Sequence, residues 1–377
     1  MSESHRSHQE LDAIGTPTIS RSRAQLPLWG SFASAPLYVL ACGLLLTATT
    51  HAQQRLDSPV KPSSVDGEED DGFKPHFRLA GDLSTYLGQG TFVSDEYARN
   101  PYFGWMLTAL PSFHPHPDWT LRAYLSVMQE VTNTDPIGPG LSDSELVPEE
   151  RLLVLSDLQL AGRYQVGVIP GVDIRTAVEA RVALPTSRAS RFRSMVAATQ
   201  LRLLLSRAFG PVSLALTSGF RKNFHRYENA TAPPNLALSR AFGNELVDTG
   251  LVALGFQNVS FSILNQLEFT YQPFPELSFG ITYALLNRFG YRDFEADELT
   301  SPYANTGRPR TDVSSGSVFA SYAVMPQVLI TLGYSLVTLP KSLDNSRFRF
   351  PFFDFESSAD NAGALYLSLS GSQPFGE

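Results

Sequence analysis

The stretch Val172 to Leu184, V-D-I-R-T-A-V-E-A-R-V-A-L, decides how the rest of the chain is read. Val172, Ile174, Thr176, Val178, Ala180, Val182 and Leu184 share one parity; Asp173, Arg175, Ala177, Glu179, Arg181 and Ala183 share the other. Successive side chains of a strand point to opposite faces, so this segment carries one uncharged face and one ionic face. A soluble sheet with one buried face would alternate in the same way. Length points elsewhere: soluble strands peak near ~5–6 residues, whereas a tilted strand needs roughly 9–11 to cross a bilayer. The reading holds only if the pattern recurs.

It recurs from His76 to the last residues of the chain. Phe77, Leu79 and Leu83 oppose Arg78 and Asp82; Trp119, Leu121, Ala123, Leu125 and Val127 oppose Arg122, Ser126 and Glu130. Leu152, Val154, Leu158 and Leu160 oppose Asp157, Gln159 and Arg163, while Met195, Ala197, Leu201, Leu203 and Leu205 oppose Ser194, Gln200 and Arg202. Val259, Phe261, Ile263, Leu267 and Phe269 oppose Ser260, Ser262, Gln266 and Glu268, and Leu365, Leu367 and Leu369 oppose Tyr366, Ser368 and Ser370. With 101–114, 211–226, 276–290, 314–325 and 327–339, this makes about twelve segments, in the even-numbered series of bacterial barrels. Charge is almost absent from the apolar parity; Arg207 and Lys222 are the exceptions, and both lie near strand ends.

The connections support the same architecture. Short ones, at His114 to Pro117, Gly167 to Gly171, Gly210-Pro211, Pro273 to Pro275 and Pro326, alternate with long ones at 87–100, 131–150, 226–250, 291–313 and 340–360, with 185–191 the one short member of the second series. Aromatics gather beside the short turns (Phe113, Trp119, Tyr164, Phe209, Tyr271, Phe274) and beside the long loops (Tyr102, Phe103, Trp105, Phe220, Phe224, Phe289, Tyr291). Such rings settle at the two headgroup levels of a membrane. The expected fold is all-β: a transmembrane antiparallel barrel of about twelve strands, within roughly ten to fourteen, with short periplasmic turns and long extracellular loops. Its mean hydropathy near zero fits alternating strands better than membrane helices.

Upstream lies a different kind of sequence. The apolar run Ala35 to Thr50, preceded by Arg21 and Arg23 and followed by Thr50-His51-Ala52, has the form of a signal peptide cleaved after Ala52. Cys42, the single cysteine, sits inside that run rather than at its end, so lipidation is not expected. Without it, no disulfide framework, thiol nucleophile or thiolate metal site remains. Gln53 to Lys74 lacks periodicity and contains the acidic run Glu68-Glu69-Asp70-Asp71, which reads as a flexible periplasmic lead-in. The domain boundaries are therefore a leader over 1–52, an acidic segment over 53–75 and a barrel over 76–377. A formal charge of -8 without a basic stripe argues against nucleic-acid binding.

The residues from Phe77 to Phe375 resemble, in architecture rather than through a diagnostic motif, the Gram-negative outer-membrane β-barrels. That resemblance implies an outer-membrane location and contacts with membrane lipid, lipopolysaccharide and the barrel-assembly machinery. Members of that class commonly end on an aromatic residue, whereas the final apolar alternation here, 363–369, is followed by Gln373-Pro374-Phe375-Gly376-Glu377.

If the apolar parity faces lipid, the other lines the lumen. It offers Arg78, Arg122, Arg163, Arg175, Arg181, Arg202, Arg221 and Arg288 against Asp82, Glu130, Asp157, Asp173, Glu179 and Glu268. One reading is structural, with ion pairs bracing the wall. The other is a selectivity lining, in which Arg175, Arg181, Arg202 and Arg221 form a basic stripe that favours small polar or anionic solutes. The expected function is passive passage of such solutes through a porin-like channel. The alternatives are a non-conducting, surface-binding barrel and an outer-membrane lipid hydrolase.

No enzyme motif supports the last of these. His225 stands on the lumen parity without a serine in a triad-like arrangement. His114 and His116 supply too few ligands for a metal, and no cofactor fingerprint occurs. In the last long loop, Arg347, Phe348, Arg349, Phe350, Phe352 and Phe353 suit either a lipopolysaccharide-binding surface or a loop folded over the mouth.

Overall fold

The computed structural model describes residues 73–88, 102–130, 153–187, 190–191, 193–232, 246–247, 251–292, 307–342, 346–353 and 363–375. The leader over 1–52 and nearly all of the acidic segment lie outside the described residues. Long strands account for most of what is described: β1 (His76–Gly88), β2 (Tyr102–His116), β3 (Trp119–Glu130), β4 (Leu158–Ile169), β5 (Ile174–Leu184) and β6 (Met195–Phe209). The second half adds β7 (Val212–His225), β8 (Phe261–Tyr271), β9 (Leu277–Phe289), β10 (Arg310–Met325), β11 (Val328–Thr338) and β12 (Ala364–Phe375). Each pairs antiparallel with its neighbours in sequence, and β1 also pairs with β12, which closes a ring of 12 strands. Closure removes every sheet edge, the condition for strands to cross hydrocarbon. Short strands above one rim, at Asn229–Ala232, Leu246–Val247 and Leu251–Gln257, form a separate small sheet.

Facing follows the alternation. Leu83, Leu107, Leu201, Leu267, Ile281 and Leu367 point outward and are 43% to 57% exposed. Thr108, Ser278, Thr282 and Ser317 point inward and are at most 1% exposed. Charged side chains on the outside stand near the rims, among them Arg207 over Phe209 at 4.4 Å, Lys222 over Tyr291 at 5.0 Å, and Arg310 paired with Asp312. A polar pair also interrupts the apolar band, where the Ser218 hydroxyl donates to Asn265 Oδ1 at 2.9 Å across β7 and β8. Each satisfies the other, which limits the cost of polar atoms against lipid.

Short turns gather at one rim. Gly210, at φ 60, opens the Gly210-Pro211 turn between β6 and β7, a conformation that L side chains resist. β12 runs further than its apolar alternation suggests, to Phe375, whose register partner is Phe77. Phe77 in turn stacks on Phe113 at 4.5 Å, and Trp119 meets Tyr164 at 5.0 Å on the same rim. The opposite rim has its own rings, with Phe261 stacked on Phe289 at 4.6 Å.

Two departures from strict alternation matter. A register shift between Met195 and Ala197 turns Met195 inward, against Ala183 and Ala198, and leaves Val196 outside. The expectation that Met195 faces lipid fails because one extra residue reverses the facing of what lies beyond it. The interior is also less polar than expected: Tyr86, Met106, Phe319 and Tyr366 form a buried cluster with Met128 packed against it. Glycine makes room for it, since a Cβ at Gly280 would collide with the Phe319 ring and one at Gly333 with Tyr366.

Candidate functional site

Two register rows place the lumen charges. In one, Arg163 of β4, Glu179 of β5 and Arg202 of β6 are direct partners on adjacent strands. In the other, Arg122 of β3, Ala161 of β4, Arg181 of β5, Gln200 of β6 and Arg221 of β7 follow one another across five strands. Five arginines thus share one wall. Glu179 stands among them, the only carboxylate of β3–β7 whose described side chain lies on the lumen face.

Glu179 is 2% exposed and its Oε1 accepts from both Arg181 Nε and Arg202 Nη1, the second at 3.2 Å. Arg181 also lies over the Tyr124 ring at 4.6 Å and donates to its hydroxyl at 3.4 Å. The stem of Arg202 runs past Gly219, where an added Cβ would stand 3.2 Å from Arg202 Cγ. A guanidinium is a fixed planar fork, so a carboxylate and a ring together set its direction. Beside this cluster a recess is lined by Arg181, Arg221, Gln159, Gln200, Ala183 and Ala198. Two cations and two amides converge there without an enclosed volume between them.

The facing wall has a different chemistry. Asp82, 1% exposed, accepts from the hydroxyls of Ser84, Ser368 and Ser370, the last at 2.7 Å, and so ties β1 to β12. Ser317, Ser321, Thr331 and Ser335 continue a hydroxyl lining over β10 and β11, and Glu268 stands on β8 with Thr270 donating to it at 3.3 Å.

The remaining expected lumen residues lie nearer the rims. Arg78 donates to Ser372 at 2.7 Å, and Arg288 is the register partner of Ser262 and Thr311. Arg175 is exposed beside a short turn, and Asp173 lies in that turn at φ 51, exposed, so neither joins the arginine cluster. Asp157 precedes β4, where its carboxylate accepts from the Ser187 amide at 3.0 Å and the Ser190 hydroxyl at 2.5 Å, fixing a connection at the outer rim. These two acids depart from the wall because the alternation was extended past the strand ends. The Glu130 side chain lies outside the described residues. Tyr124 and the Tyr86–Phe319–Tyr366 cluster were not singled out in the sequence; Tyr124 shares parity with Arg122, a signal that was present.

Among the described residues, His225 is engaged by Tyr291. Its ring Nδ1 and its backbone amide both lie 3.0 Å from the Tyr291 hydroxyl, which donates to the Asn223 carbonyl at 2.7 Å. Burial raises the Tyr291 phenol above its ordinary pKa, which keeps it a neutral donor. His114 stacks on His76 at 4.7 Å, and no group of three or more metal-ligating side chains occurs among the described residues.

The last long loop takes neither of its expected forms in full. Lys341 and Phe348 form a bridge, and the Arg349 amide donates to the Pro340 carbonyl at 3.0 Å, so the chain turns back on itself above β11. Pro351 and Phe352 then pack on Gly316, whose parity is outward. The segment is laid on the outer wall, not over the mouth, and covers Leu336, 1% exposed. Phe348 stays 77% exposed and Phe350 54%, with Arg347 exposed beside them; Arg349 donates to Thr338 at 3.3 Å and Phe353 is half-buried.

A closed ring with hydrocarbon-compatible side chains outside and ionic ones inside gives this chain the fold of a transmembrane β-barrel. No protein-family model matches the sequence, and no curated protein does. Among solved structures, it is similar to an outer membrane channel from Pseudomonas putida F1, with 10% identity over 84% of this chain and 100% of that one, at a TM-score of 0.44. It is also similar to the NanC porin, with 10% identity over 78% and 98% of the two chains and a TM-score of 0.38. A mutant of the TodX monoaromatic hydrocarbon channel aligns at 12% identity over 80% and 90%, with a TM-score of 0.32.

Proposed function

We propose that the protein is a porin-like channel for small polar solutes, with a preference for anions. The observation that carries this reading is the wall of Arg122, Arg163, Arg181, Arg202 and Arg221 around Glu179, facing a wall of hydroxyls that also holds Asp82 and Glu268. One Glu179 neutralises part of that charge and leaves the wall net positive. A lining of arginines concentrates anions and hands them between forked donors, while the serine side solvates them without trapping. In planar bilayers the protein is expected to give steady current with a reversal potential on the anion side under a salt gradient. Arg202→Ala with Arg221→Ala should move that potential toward zero; an unchanged value would refute the role of the wall.

A second reading, a non-conducting barrel that acts through its surface, is favoured by the inward cluster of Tyr86, Met106, Phe319 and Tyr366. Electrical silence of folded protein would establish that reading in place of the first.

A further inference from the structure

On the outer wall at the long-loop rim, Lys222, Phe261, Phe289 and Arg310 are direct register partners on four consecutive strands, β7 to β10. The two rings stack at 4.6 Å with planes 13° apart; the register partner at one end is Lys222, whose ammonium lies 5.0 Å from the Tyr291 ring centre, and at the other end Arg310. Arg310 lies 5.6 Å from the Phe289 ring centre, and Arg308 reaches over Phe261 at 5.7 Å. Lys222 gives one hydrogen to Ser260 at 2.6 Å, and Arg310 meets Asp312 through Nε at 2.8 Å, with 55% of its side chain exposed. Lys341 over Phe348 at 5.3 Å repeats the motif beyond β11. At the short-turn rim the outward cation is Arg207, over Phe209 at 4.4 Å in the row Arg207, Leu214, Phe269 and Ile281.

We infer that this row is a docking site for the phosphorylated disaccharide headgroup of lipopolysaccharide in the outer leaflet. The row faces lipid at the long-loop rim, which barrels of this layout turn to the extracellular side, where that glycolipid replaces phospholipid. Partners across neighbouring strands stand about 5 Å apart, so the backbone positions of Lys222 and Arg310 are separated by roughly 15 Å. That separation suits phosphates at the two ends of a disaccharide, with the stacked rings beneath the sugar and the acyl chains running down the leucine face. Cations held over rings at a membrane interface keep their charge available while their stems are covered.

The test uses the full chain folded in detergent and native mass spectrometry against diphosphoryl lipid A, monophosphoryl lipid A and phosphatidylglycerol. The parent protein should bind the diphosphoryl form best. Each of Lys222→Gln and Arg310→Gln should weaken it about fivefold, and the pair about 25-fold, from roughly 1 kcal/mol per interfacial cation. Unchanged affinity in a folded double variant, checked by heat modifiability, would overturn the assignment. So would parent protein that binds phosphatidylglycerol as tightly as diphosphoryl lipid A, a comparison that decides the matter even if the variants misfold. Neither residue lines the lumen, so conductance reports separately on the channel reading.

Discussion

Replacing Glu179 by glutamine removes one charge and no volume from the centre of the arginine wall. The parent carboxylate receives hydrogen bonds from Arg181 and Arg202 while being 2% exposed, and their side chains are 11% and 6% exposed. A hydrogen bond to a charged group contributes about 1.5–3 kcal/mol, and removing one member of a buried ionic cluster costs about 3–5 kcal/mol. Glutamine keeps one acceptor, so the expected loss is about 3 kcal/mol, near the lower end. Urea unfolding in phospholipid vesicles, followed by the fluorescence of Trp105 and Trp119, measures it. With a slope of roughly 1–3 kcal/mol per molar urea, the midpoint should fall by about 1–3 M. The same substitution leaves two uncompensated guanidiniums side by side, so anion selectivity should rise as stability falls. A midpoint within about 0.3 M of the parent would show that water already screens the cluster, and the account of the wall as a tightly held ionic unit would be wrong.

Three further perturbations test other parts of the barrel. Asp82→Ala leaves three serine hydroxyls without their acceptor and should cost about 1–3 kcal/mol in the same unfolding assay, with Asp82→Asn recovering part of it. Gly316→Val puts side-chain atoms where the Pro351 carbonyl and the Phe352 ring now lie, so trypsin should cleave after Arg347 or Arg349 faster than in the parent. Phe319→Ala empties the centre of the inward aromatic cluster; single-channel conductance should increase, and an unchanged value would mean the cluster does not narrow the path.

Much of this barrel can be read from alternation because a pleated strand leaves only two directions for a side chain. Val178 and Leu203, register partners on β5 and β6, face lipid as their parity requires, and Glu179 and Arg202 face the lumen for the same reason. Parity stops being informative where a residue is inserted, as at Met195, or where the strand has ended, as at Asp157 and Asp173. It also cannot say which inward residues meet. That Asp82 serves Ser368 and Ser370 follows from closure of the ring, a relation between residues at opposite ends of the sequence. The draping of Phe352 over Gly316 is likewise hidden, since a glycine on the lipid face looks like a gap until something fills it.

The seam between β1 and β12 has a consequence for assembly. Its partners are the earliest and the latest strands of the barrel, so the first must wait with a bare edge until the rest has been laid down. A naked strand invites the wrong neighbour, and an ionised side chain in its middle is a deterrent to most of them. Asp82 puts a carboxylate in the middle of that edge, and the hydroxyls of Ser368 and Ser370 solvate it once the ring is closed.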